Sequence, residues 1–154
     1  MKNTGKITII LLVFAAFSST CVREDENHHK TIRFVNKSNI PIYIYGSYSY
    51  PDTLNNRLGS SYHLYRAEAN TENTSALRRR DFWEVTFRNI PSDTLMVYVF
   101  DAELVDSHST HGHNTIIRRY DLSLQDLQLL DWTLYYPPTV AMKDIKMWPP
   151  YGSD

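Results

Sequence analysis

The sequence predicts a mainly β fold, an antiparallel β-sandwich-like domain with one or two short helices. Three observations lead there. From residue 31 onward, short β-branched and aromatic runs recur between turn-rich connections. Residues 95–100, Leu-Met-Val-Tyr-Val-Phe, form an unbroken apolar run with no solvated face to offer, as in a central strand covered on both sides. Strands do not alternate with long helical patterns, which argues against a parallel sheet.

Taken in order, residues 31–35 are β-rich and end in the turn composition Asn36-Lys37-Ser38-Asn39. In the next run Ile40, Ile42 and Ile44 share one face, and Tyr43 and Tyr45 the other. Pro41 lacks an N–H and belongs at a strand start or on an edge. Residues 30–45 therefore read as a β-hairpin. Residues 48–56 are loop-like, with a turn opening at Tyr50-Pro51-Asp52, and residues 61–65 suit a short strand. Residues 67–75 are polar and read as an exposed loop.

Residues 78–87 fit two patterns. Trp83, Phe87 and Ile90 have helical spacing, and Asp81 with Glu84 resembles a capping box, while Trp83, Val85 and Phe87 alternate as in a strand. The helix is the preferred reading. After the central strand, residues 115–120 form another. Ser123 then starts a helix in which Leu124, Leu127 and Leu130 repeat at helical spacing. Residues 132–136 are a final strand, stopped by Pro137-Pro138. Residues 139–154 are an extended arm, either docked or disordered.

The N-terminus reads as an address. Lys2 and Lys6 make a positive leader, residues 7–17 are almost continuously apolar, and small residues follow up to Cys21. The run is shorter than the roughly 20 residues that a spanning helix needs. With the only cysteine of the chain at the cleavage position, the segment resembles a bacterial lipoprotein signal. In such signals the cysteine thiol forms a thioether to a diacylglycerol, and two or three acyl chains give an anchorage that one chain cannot. Residues 1–20 are then the signal peptide, 21–30 a polar tether, 31–138 the β-sandwich-like domain and 139–154 the arm. Processing leaves 134 of the 154 residues, with 14 basic against 17 acidic side chains, a formal charge of −3. Glu24-Asp25-Glu26 reads either as an export signal to the outer face of the outer membrane or as a solvated linker.

Several stretches resemble a family of small uncharacterised lipoproteins of gut Gram-negative anaerobes. They are the Asn-Lys-Ser turn with Ile40-Pro41-Ile42-Tyr43, Tyr50-Pro51-Asp52-Thr53, and Asp93-Thr94-Leu95 running into Val99-Phe100-Asp101. The most specific is Arg119-Tyr120-Asp121-Leu122-Ser123-Leu124-Gln125-Asp126-Leu127, followed by Trp132-Thr133-Leu134 and Tyr136-Pro137-Pro138. The resemblance covers most of the mature length and implies an outer-membrane lipoprotein. It implies no activity, since the family has no assigned chemistry.

Composition narrows the function classes. A net charge of −1 gives no reason to expect nucleic acid as a partner. One cysteine excludes an internal disulfide framework and any multi-cysteine metal site. There is no Gly-x-Ser-x-Gly elbow and no Gly-rich phosphate loop. Asp101, Glu103 and Asp106 follow the central strand and read as solvated loop acids rather than a catalytic pair. The sequence thus leans away from an enzyme and calls for no cofactor.

The leading expectation is a lipid-anchored, non-enzymatic binding or accessory module at the outer membrane, with a glycan or protein ligand. The alternative is metal binding. His108, His111 and His113 place three imidazoles in six residues, with Asp106 or His63 as a further ligand, although known metal-site spacings are not reproduced and an exposed polar loop is the preferred reading. Tyr43, Tyr45, Tyr48 and Tyr50 cluster in a way that suits stacking on sugar rings, and Arg78-Arg79-Arg80 reads as a charged face. Asp52-Thr53-Leu54 and Asp93-Thr94-Leu95 look like Asp-Thr-apolar sites of O-glycosylation, on Thr53 and Thr94, and equally like turns entering strands.

Overall fold

A computed structural model describes residue 25 and residues 27–51, 63–107 and 115–153. Within them the chain is mainly β, with strands in two sheets. The first sheet has three strands in the order β4-β1-β7, where β1 is Thr31–Asn36, β4 is Thr71–Arg78 and β7 is Thr133–Tyr136. The second has five, in the order β3-β2-β5-β6-β8: Tyr65–Ala67, Ile42–Ser47, Leu95–Asp101, Ile116–Leu122 and Lys146–Trp148. Every pairing in the five-stranded sheet is antiparallel, whereas β1 and β7 run parallel.

Strand β5 is the centre of the fold, as its unbroken apolar run requires. Leu95, Val97 and Val99 enter the main core, and Met96, Tyr98 and Phe100 enter a second apolar cluster on the other face of the sheet. The main core takes Ile32, Phe34, Leu77 and Leu134 from the three-stranded sheet and Ile42, Ile44, Tyr120 and Leu122 from the five-stranded one. The phenol of Tyr120 donates to the Tyr135 carbonyl at 2.8 Å, joining the two sheets. The second cluster collects Val105 from the short helix α2, Ala102–Ser107, together with the half-buried Tyr43, Tyr45, Tyr50 and Leu64.

Residues 30–45 do not form the expected hairpin. Strand β1 pairs with β4 and β7, and β2 with β3 and β5. The fully buried Asn36 explains the departure. Its amide nitrogen donates to the carbonyls of Ile40 at 2.9 Å and Glu68 at 3.0 Å, and its oxygen accepts from the N–H of Ser38 at 3.0 Å. The side chain pins a corner that carries the chain from one sheet to the other. Residues 71–75, expected in an exposed loop, belong to strand β4. This edge strand is polar because most of its side chains face solvent, and its backbone is held by β1. Asn70, at φ 56°, makes the tight turn between β3 and β4.

The helix expected near Trp83 is present as α1, Trp83–Asn89, and buries Trp83 and Phe87. The Asp81–Glu84 capping box does not form, for Phe82 stands at the cap without a side-chain bond. The N-terminal segment supplies that end of the helix instead: the His29 carbonyl accepts from the N–H of Trp83 at 2.7 Å, and Glu84 accepts from the backbone N–H of His29. Ser123 does cap its helix, α3, Leu124–Leu129, through a complete reciprocal box with Asp126. After β7, a single 3₁₀ turn at Val140–Met142 buries Met142 completely, and β8 then pairs with β6. The Pro-flanked arm is therefore docked. No described helix is long and apolar enough to cross a membrane.

Candidate functional site

An aromatic cleft with a cationic rim lies where the two sheets part, near the ends of β2 and β4 and the start of α1. It encloses about 390 Å³. Tyr45 comes from β2 and Tyr48 from just after it, His63 precedes β3 and Tyr65 opens it, and Ala76 and Arg78 belong to β4 with Arg79 directly following. Beside the cleft the sheets pack closely, for a Cβ at Gly46 would lie 3.0 Å from Leu77 Cδ2.

Arg79 is the fixed element of the cleft. Its guanidinium carbon lies 5.0 Å from the ring centre of Tyr48 and 5.6 Å from that of Trp83. The guanidinium donates to the Tyr48 hydroxyl. The Arg79 backbone N–H donates to the Lys30 carbonyl at 2.9 Å, which ties the residue to the N-terminal segment. Trp83 is buried, and its indole N–H donates to the Leu77 carbonyl at 3.1 Å, so it makes the floor. Arg78 and Tyr65 stand exposed at the rim. No carboxylate among the described residues lines the cleft.

A second depression, on the outer side of the three-stranded sheet, is lined by His29, Lys30, Arg33, Arg78, Asp131 and Trp132 among others. Much of it is already committed. The His29 ring stacks on Trp132 with centroids 4.2 Å apart and its Nδ1 lies 2.7 Å from Glu84. Arg33 donates twice to the Glu72 carboxylate, at 2.9 and 2.8 Å. That pair holds the Glu72 carboxyl below its ordinary range and the Arg33 guanidinium above its own. This surface braces the tether root and the sheet.

The residues singled out from sequence fare differently. Cys21, Thr53, His108, His111 and His113 lie outside the described residues. Asp106, considered as a further metal ligand, accepts from the Tyr43 hydroxyl at 2.9 Å and from Arg66 at 2.7 Å. His63 lies in the cleft. Among the described residues no group of three or more His, Cys, Asp or Glu side chains is placed to hold a metal. Asp101 and Glu103 are not loop acids: Asp101 ends β5 and accepts from the N–H of Leu104 at 3.1 Å, and Glu103 lies in the first turn of α2. Thr94 is half-buried, and its hydroxyl donates to the Ser92 carbonyl at 2.9 Å in the turn entering β5. Of the tyrosine cluster, Tyr45 and Tyr48 reach the cleft. The meeting of Arg79 with Tyr48 and Trp83 leaves two separate traces in the sequence, the Arg78-Arg79-Arg80 run and the tyrosine cluster, and nothing in the sequence joins them. No family model, curated protein or solved structure matches the chain.

Proposed function

We propose that this chain is a lipid-anchored envelope protein, held at the outer membrane through an acylated Cys21, and that it acts as a non-enzymatic binding module through the cleft at the sheet seam. The observation that carries the reading is the lone cysteine placed directly after a basic leader and a short apolar run. A thiol at that point has a chemical use in thioether formation, and the acyl chains then keep the domain at a lipid surface. The cleft supports the binding half of the reading. Its size falls within the roughly 300–1,000 Å³ of small-molecule sites, and it combines apolar ring faces with a few placed polar groups.

Growth with a radiolabelled fatty acid tests the anchor. The wild-type chain incorporates label, while Cys21→Ala incorporates none and keeps its leader, migrating more slowly. Equal labelling of the variant would remove the anchor from the account.

A further inference from the structure

We propose that the cleft at the sheet seam takes an acidic saccharide, a sugar ring bearing a carboxylate. This deepens the reading of the cleft as a binding site and rests on it. Three features converge. Tyr48 and the exposed Tyr65 bring aromatic rings to one concavity, with Trp83 beneath them and Tyr45, whose ring packs on Tyr98, at its side. Such faces bury the C–H side of a sugar ring, while phenol hydroxyls and the His63 imidazole offer hydrogen bonds to its hydroxyls.

Charge is the second feature. Among the described residues, Arg78 and Arg79 are the charged side chains of the lining, and no carboxylate accompanies them. These two guanidiniums attract an entering anion, and low-dielectric aromatic sides strengthen the attraction. A guanidinium matches a carboxylate with two parallel hydrogen bonds.

The third feature is preorganisation. Arg79 is clamped between Tyr48 and Trp83 and bonded to the Tyr48 hydroxyl, so its orientation is set before any ligand arrives. Arg78 and Tyr65 stand exposed at the rim, where a cation and a ring face can close on an entering ligand.

The test uses the full chain purified from membranes in mild detergent. It is titrated calorimetrically with two acidic probes, digalacturonate and sialyllactose, and with their neutral counterparts, digalacturonate dimethyl ester and lactose. Inorganic phosphate and a nucleoside monophosphate serve as competing anions. The expected result is saturable binding of at least one acidic probe. That binding weakens with added salt, is tenfold or more tighter than for the neutral counterpart, and drops tenfold or more in both Arg78→Ala and Tyr65→Ala. Both substitutions are at exposed positions, and unchanged circular dichroism verifies that the variants fold. The proposal is overturned by no binding of either acidic probe, by equal binding of a neutral counterpart, by tighter binding of either competing anion, or by full affinity in both variants. Fatty-acid label is read on the same preparation. A labelled protein that ignores both acidic sugars loses the ligand assignment and keeps the anchored module.

Discussion

Asn36 does at one residue what a hairpin turn would have done differently. It is fully buried, and its amide is spent on backbone groups that no sheet ladder reaches. Replacing it with Ala leaves buried donors and acceptors unpaired, each at a cost of about 1–3 kcal/mol. Asn36→Ala should therefore lower the unfolding free energy by at least that much in chemical denaturation, and Asn36→Asp should not restore it, since a carboxylate cannot donate to the Ile40 and Glu68 carbonyls. Glu72 gives a pH-dependent case. Hydrogen bonding to Arg33 lowers its folded-state carboxyl below the ordinary value of 4.5. The contribution of the pair is complete above that ordinary value and is lost as pH falls through the lowered one. Denaturation between pH 2 and 7 should show a shallower acid limb for Glu72→Gln than for the wild type, and a small effect at neutral pH because both side chains are solvated. Neither role could be read from sequence. Asn36 sits in what looks like an ordinary turn, and its partner Glu68 is distant in the chain. Arg79 likewise looks like one of three solvated arginines until folding sets it against Tyr48, 31 residues away.

Among the elements, legibility followed how much of each strand is apolar. Strand β5 announces itself because both of its faces are buried, and each face feeds a separate core. Strand β4 is hidden because Ala76 and Leu77 are its only apolar residues, and pairing with β1 rather than its own side chains makes it a strand. The first capping motif fails and the second succeeds for a local reason. At α1 the N-terminal segment already satisfies the helix end and takes Glu84, whereas Ser123 and Asp126 at α3 have each other. The C-terminal arm docks through Met142 and Ile145, both buried, a role that its prolines obscure in the sequence. Truncation measures these roles. Phe100→Ala should cost about 3–5 kcal/mol and Met142→Ala about 2–5 kcal/mol in urea unfolding. Tyr151→Ala, at a position 37% exposed, should change stability by only about 0.5 kcal/mol. A loss at Met142 no larger than that at Tyr151 would mean that the arm is not part of the core.

The two sheets carry a cleft at their seam, and the proposed acyl group would sit on Cys21, ahead of the folded part. The tether is shorter than its composition suggests. The His28 ring lies 4.7 Å from that of Phe82, His29 stacks on Trp132, the His29 carbonyl accepts from Trp83, and Lys30 accepts from Arg79, so the chain is part of the domain from residue 28 onward. Cys21 precedes His28 by seven residues, which a fully extended chain spans in at most about 23–25 Å, and the backbone hydrogen bonds between Asp25 and His28 fold part of that stretch into a turn. An acyl group on Cys21 would hold the domain close to the bilayer, with the start of α1 and the Arg79 end of the cleft attached to the anchored segment. The intact mass of the protein purified from the membrane fraction tests this claim most directly. The account predicts a chain beginning at Cys21, without residues 1–20, heavier than its sequence by a diacylglycerol in thioether linkage and any further N-acyl chain. A mass that retains the first twenty residues, or one that starts at Cys21 with a free thiol, would contradict it.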